Sequence, residues 1–337
     1  MRRIGLYLAR LPGFDKKGLD RGEIVDCVRA ADACGYESFW APEAWERDAF
    51  STLTELALRT KRIGLGTGIV NVFSRSPALL AMSAATLDEI SEGRFRLGLG
   101  TSGARVISDF HGGQFDRPLV RLKETVDIVR LLLTGKRADY DGDCFKLARF
   151  KLGFKPIRPN IPIFVAALTP AGIRQAGEIA DGWLPTHLPL DRLSECASIV
   201  VNSAKTAGRD PSAIEIAPMI NLSVSNDTAQ ARDAARLPLA YYIGGMGDYY
   251  YRIVSRMGFA AEAEVIRSLW QSGKRKSAIA ATPDSLVDQI AICGPLDYCR
   301  SRLDEIRARG ATLPLLSLPS TGTKAEKIRL IESLIES

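Results

Sequence analysis

Histidine and cysteine are scarce in this 337-residue chain, with two of the first and six of the second. The cysteines (Cys27, Cys34, Cys144, Cys196, Cys293 and Cys299) form no CxxC pair and no compact ligand set with a histidine, so no metal centre is expected. A disulfide framework is not needed either, because a chain of this length buries roughly three quarters of its extended surface. Long apolar runs are also absent. None approaches the roughly 20 residues of a membrane span, and Met1-Arg2-Arg3 is followed only by Ile4 to Ala9 before Arg10, too short for a signal core. The expectation is a cytoplasmic protein without a membrane partner. Clustered positive charge is missing too. The formal net charge is +6, yet the arginines are scattered and only Lys274-Arg275-Lys276 forms a run, which disfavours nucleic acid as a partner. A cationic pocket for an acidic cofactor stays open.

What is present is alternation. With 46% hydrophobic and 25% charged residues the composition is that of a globular enzyme, and apolar segments alternate with amphipathic ones from end to end, the pattern of βα units around a parallel sheet. Strands are expected at Ile4 to Ala9, Tyr36 to Ala41, Ile63 to Val70, Phe95 to Thr101, Ile163 to Leu168, Trp183 to Thr186, Ile214 to Val224 and Thr312 to Leu318. Helices are expected around Ile24, Val28 and Ala31, over Asp48 to Thr60 and Pro77 to Ile90, and through Leu122, Val126, Val129 and Leu133. Eight strands suit a (β/α)8 barrel. Cys27 and Cys34 read as small apolar core residues of the first helix.

Two stretches exceed a minimal repeat. Residues 139–162, rich in Gly, Pro and Lys, read as a hairpin or ordered loop inserted before the fifth strand. Residues 241–283, with Gly244-Gly245-Met246-Gly247 and Tyr249-Tyr250-Tyr251, read as an insertion after the seventh strand that forms a lid or substrate wall, or else an oligomer contact.

The densest signal lies between Gly64 and Gly103. Glycine inside a strand weakens pairing unless something approaches the backbone closely, and Gly64, Gly66 and Gly68 recur one strand later as Gly98, Gly100 and Gly103. The letters of Gly98 to Gly103 match GxGxxG, but eight units disfavour a dinucleotide fold. Gly66-Thr67-Gly68-Ile69-Val70-Asn71, Ser74-Arg75-Ser76-Pro77-Ala78, the run from Ala84 to Phe95 and Leu97-Gly98-Leu99-Gly100-Thr101-Ser102-Gly103 together resemble the bacterial luciferase-like family. So do Ala180-Asp181-Gly182-Trp183-Leu184-Pro185, the Gly244 to Gly247 run and Cys293-Gly294-Pro295. The resemblance is strongest to the family's coenzyme F420-dependent branch, which includes methylenetetrahydromethanopterin reductases.

The resemblance implies one luciferase-like (β/α)8 TIM barrel over residues 1–337, with insertions at the C-terminal face of the strands, a flavin or deazaflavin at that face, and a homodimer. A non-prolyl cis peptide at the end of the third strand would fall on Gly68-Ile69, placing Gly68, Ile69, Val70 and Asn71 beside the ring. Gly100, Thr101 and Ser102 face the same mouth. Both coenzyme F420 and FMN carry a phosphate, and Ala166-Ala167-Leu168-Thr169 leads into a helix whose N-terminus suits one, with Thr169 as cap. Glu43, in Ala41-Pro42-Glu43-Ala44-Trp45, is the leading acid, with Trp45 as an aromatic wall that would desolvate the carboxyl; a structural Glu at a helix start is the alternative. His111 is a second catalytic candidate. Ser108 and Phe110 stand where relatives often have a carboxylate and a tryptophan, and are read as substrate-binding. His187 either faces the same mouth against the substrate or is a solvated loop histidine.

The functional expectation is a coenzyme F420-dependent oxidoreductase moving hydride between the reduced deazaflavin and a C=C, C=N or C=O bond of a small organic substrate. An FMN-dependent two-component monooxygenase is the alternative. A non-catalytic flavin-binding protein is the third reading.

Overall fold

The computed structural model describes residues 3–8, 19–319 and 321–335; Met1, Arg2, Ala9 and Arg10 of the readings above lie outside them. The strands in chain order are β1 (Gly5–Tyr7), β2 (Ser38–Ala41), β3 (Gly64–Thr67), β4 (Val70–Asn71), β5 (Phe95–Gly100), β6 (Ala138–Asp141), β7 (Lys146–Phe150), β8 (Ile163–Val165), β9 (Gly182–Trp183), β10 (Glu215–Ile216), β11 (Met219–Val224), β12 (Ala291–Gly294) and β13 (Leu315–Ser317). All but β6 and β7 belong to one curled parallel sheet, ordered β10-β9-β8-β5-β3-β2-β1-β13-β11-β12 with β4 beside β5. Each of the eight expected strands coincides with a strand of this sheet. The strand β12, beyond β11, was not foreseen, and β6 pairs with β7 as an antiparallel hairpin over Ala138 to Phe150, in the stretch where an insertion was expected.

Local chemistry sets the helix ends. Asp20 and Glu23 form a reciprocal capping box on the helix Arg21–Cys34, which ends at Gly35 in the left-handed region, φ 85°, where a Cβ is costly. Asp48 caps Ala49–Arg59, Ser76 caps Pro77–Ile90 and Thr169 caps Pro170–Ile179; the last two carry proline in the first turn, where its missing N–H has no helical partner to lose. Cys27 is buried in the first helix, and all six cysteines are free thiols.

The sheet interior explains two of the glycines. A Cβ on Gly66 would lie 2.4 Å from the Trp40 indole, and one on Gly98 would lie 1.9 Å from the Thr67 carbonyl oxygen. Trp40 is fully buried there, edge-on to Phe164 at 4.9 Å between centroids. Thr67 Oγ1 donates to the Gly98 carbonyl and accepts from its N–H, both at 2.8 Å. A second buried cluster, separate from the one around the sheet, is built by the helices of residues 228–290 around Ile243, Ile266 and Trp270.

The run from Ala84 to Phe95 holds the shell rather than the mouth. Asp88, fully buried, accepts from Nε and Nη2 of Arg158, and Arg94 donates to the carbonyls of Ala57 and Ile63, closing the end of the helix Ala49–Arg59. Removing one partner of a buried ion pair leaves the other charge uncompensated. Asp88→Ala is expected to cost about 3 kcal/mol of unfolding free energy. The double variant Asp88→Leu/Arg158→Met should cost less than the single one, which urea unfolding of the three proteins would measure.

Candidate active site

A cleft opens where the parallel strands end. Most of its lining comes from the carboxyl end of one strand after another: Tyr7 closing β1, Pro42 to Ala44 after β2, Gly68 and Ile69 after β3, Gly100 closing β5 and Thr101 to Gly103 after it, Ala166 to Leu168 after β8, Thr186 and His187 after β9, and Ser317 closing β13, with Met219, Asn221, Leu222 and Ser223 along β11. With its mouth it encloses about 1640 Å³ of empty space. The ends of parallel strands are where α/β enzymes place their chemistry, because the loops there vary freely on a fixed frame. The helix Thr228–Gly245, its C-cap residue Met246 and the helix Asp248–Val254 supply the far wall through Tyr242, Met246, Tyr249 and Tyr250.

The peptide bond Gly68-Ile69 is cis. The Ile69 side chain lies against Gly100, close enough that a Cβ there would meet it at 3.0 Å, and Ala166 flanks the same point at 3.5 Å. Gly103 is different: a Cβ on it would meet nothing within 4 Å. Gly68, Ile69, Gly100, Thr101, Ser102, Ala166, Ala167 and Leu168 all line the cleft. Val70, Asn71 and Thr169 do not; Val70 is buried in the sheet, Asn71 Oδ1 accepts from the N–H groups of Phe73 and Ser74, and Thr169 caps its helix.

Glu43 lines the cleft but is engaged. Its Oε1 accepts from Arg75 Nη1 at 2.5 Å and its Oε2 from Arg75 Nη2 and from the Ala49 N–H, both at 2.9 Å. Both members are mostly buried, and Arg75 also pairs with Asp48. An acid would have to carry its proton on an oxygen that already faces a donor. Trp45 does not line the cleft, whereas Glu46, one residue on, does. Ser108, Phe110 and His111 also stay outside it, because residues 106–110 form a single π-helical turn that leaves these three side chains exposed. Ser108 Oγ donates to Asp109, and His111 Nε2 sits 3.3 Å from Asn71 Nδ2.

His187 is in the cleft. It holds a positive φ of 54°, rare for a residue with a Cβ, and its ring packs against Tyr242 at 4.2 Å and Tyr250 at 5.3 Å. Nδ1 is 3.0 Å from Thr186 Oγ1; Nε2 is buried without a hydrogen-bond partner. Burial pushes the imidazole down to about 4 and the phenols of Tyr7, Tyr242 and Tyr250 above their ordinary range, so all four groups are uncharged at neutral pH. Sequence reasoning did not single out Tyr7, Glu46, Thr186 or Met219 of this lining, while Tyr242 lies in the stretch 241–283 read as a lid or substrate wall. Tyr7 had a signal, since it closes an apolar strand at the face its neighbour Leu6 does not share.

Residues 1–313 match the family model of luciferase-like monooxygenases. The chain belongs to that family. This luciferase-like protein is 32% identical over 312 residues to 5,10-methylenetetrahydromethanopterin reductase of Methanolobus tindarius, covering 92% of this chain and 94% of that one. It is 29% identical over 287 residues to F420-dependent glucose-6-phosphate dehydrogenase of Nocardia farcinica, covering 80% and 83%. The solved coenzyme F420-dependent tetrahydromethanopterin reductase from Methanopyrus kandleri is similar with a TM-score of 0.85 at 24% identity, covering 98% of this chain and 97% of that one, a likeness of fold.

Two expectations follow for the luciferase-like site. Glu43→Gln places an amide donor against the guanidinium or the Ala49 N–H, which should lower stability by about 1 to 3 kcal/mol, read by urea unfolding. For His187 the unfolded chain binds a proton from its ordinary 6.5 downward, while the folded chain does so only near 4. Between those values the unfolded state carries more protons, so stability rises with pH; the contribution, about 3 kcal/mol, is present above 6.5 and lost as pH falls towards 4. Unfolding at pH 7 and pH 4.5 should therefore show a larger loss in the wild type than in His187→Gln. Equal losses would mean that the imidazole titrates alike in both states.

Proposed function

We propose that this chain is a coenzyme F420-dependent oxidoreductase that moves hydride to or from a small organic substrate. The observation that carries the reading is the cleft at the strand ends, where Ile69, Gly100 and Ala166 leave a bare wall beside the open space at Gly103. The relatives named for F420 dependence support it. When bound, the coenzyme supplies a two-electron hydride carrier that reacts poorly with oxygen. Ile69 and Gly100 would face its ring, Thr101 and Ser102 offer hydroxyls to its polar tail, and the turn Ala166 to Leu168 leads to a helix N-terminus that favours an anion. Glu43 and Arg75 act together as a charged bracket for the loop after β2. The aromatic wall from Tyr242 to Tyr250 serves as the substrate side, and residues 241–283 as its cover.

The same reading includes a closed (β/α)8 barrel. β10, at one end of the strand order, and β11, next to the other end, are separated only by Ala217 and Pro218. Ala217 and Met219 donate to carbonyls of Trp183 and Pro185 on one side, and Leu315 donates to Pro218 on the other. A homodimer is also part of it, since Leu58, Leu79 and Met82 are exposed on the packed helices Ala49–Arg59 and Pro77–Ile90.

Parallel absorbance titrations with coenzyme F420 and FMN test the assignment. F420 should bind more tightly, and Gly103→Leu should weaken it at least about tenfold while leaving the melting temperature unchanged, because the added side chain meets cleft rather than protein. Tighter FMN binding, with oxygen uptake, would favour the monooxygenase reading instead.

A further inference from the structure

We infer that Nε2 of His187 is the subsite for the oxygen of an uncharged alcohol or ketone, which makes that couple the substrate class of the oxidoreductase proposed above. The inference rests on that reading for its coenzyme and on the cleft alone for its chemistry. A buried ring nitrogen without a partner is costly and is retained where a ligand completes it. Here the ring is fixed on every other side. Thr186 Oγ1 holds Nδ1, Tyr242 and Tyr250 hold the faces and edge, and the backbone adopts a left-handed conformation at this one residue of its loop.

The chemistry of the fixing group matters. A hydroxyl both donates and accepts, so Thr186 Oγ1 can accept from an Nδ1–H or donate to an Nδ1 lone pair. Both neutral tautomers of His187 are thereby supported. With the proton on Nδ1, Nε2 accepts from an alcohol O–H; with the proton on Nε2, it donates to a ketone C=O. One nitrogen thus serves both members of a couple that differ by a hydroxyl proton and a hydride.

The surroundings favour an uncharged ligand. Thr186, Tyr242 and Tyr250, which touch the ring, are neutral, as are Tyr7 and Met219 elsewhere in the cleft, and no Lys or Arg among the described residues lines it. A phosphate or carboxylate placed here would be desolvated without a counter-charge and would share the cleft with the carboxylate of Glu46. A simple C=C substrate would leave Nε2 unpaired.

The test uses the full chain labelled with [15N]histidine. The sequence has two histidines, so loss of one resonance in His111→Gln assigns the other. Cyclohexanol and cyclohexanone should each shift the His187 Nε2 resonance saturably, with and without coenzyme F420. Cyclohexanecarboxylate and glucose 6-phosphate should not. By calorimetry, His187→Phe should weaken both neutral probes at least about tenfold, whereas His187→Gln, which keeps a donor and an acceptor, should change them by less than about threefold. No saturable shift at His187, an equal shift with the charged compounds, or unchanged probe affinity in His187→Phe overturns the inference; if the Phe variant does not fold, the labelled wild type alone decides. An absorbance titration with F420 on the same samples separates the two readings. F420 binding without a probe shift overturns the subsite and keeps the coenzyme, while a probe shift without F420 binding keeps the subsite and overturns the coenzyme.

Discussion

The contact between Gly98 and Thr67 governs how close β3 and β5 stand at the centre of the sheet. No side chain larger than hydrogen fits opposite the Thr67 carbonyl, and the threonine hydroxyl uses that room to bond both the N–H and the carbonyl of Gly98. The same economy at Gly66 admits the indole of Trp40, which fills the inside of the sheet with Phe164. Because β3 runs into Gly68 and Ile69 and β5 ends at Gly100, their spacing also fixes the distance between the two surfaces that bound one side of the cleft. Core packing and site geometry are therefore one constraint, met by two missing side chains.

The cleft joins walls of different character. On the β2 side, carboxylates are present, with Glu43 locked to Arg75. On the side of β1, β9 and the helix Thr228–Gly245 the polar groups are phenols, a threonine hydroxyl and one imidazole, all neutral. In a medium of low polarity such a division sorts ligands by charge before any single hydrogen bond is made.

Much of the frame was legible in the sequence. Short apolar runs separated by amphipathic ones located eight strands of the sheet, and Ser76-Pro77 and Thr169-Pro170 announced helix starts that the structure has at those residues. The strand β12 escaped because Ala291 to Gly294 follows a helix with no turn signal between. The mouth was harder. Ser108, Phe110 and His111 lie in or just after a π-helical turn that leaves all three exposed outside the cleft. Glu43 finds Arg75 across 32 positions, a pairing that no local pattern encodes. The run from Ala84 to Phe95, a strong family signature, proved to serve packing: Asp88 and Arg94 hold helices, not ligands.

The separate buried cluster around Trp270 has an evolutionary side. Residues 228–290 satisfy most of their apolar surface among themselves, so the wall they present to the cleft, Tyr242 through Tyr250, stands on a foundation of its own. Lineages descending from such a chain can replace, lengthen or reshape that wall without disturbing the packing of the sheet. New specificities would then arise by exchange of a module, leaving the loops at the strand ends inherited intact.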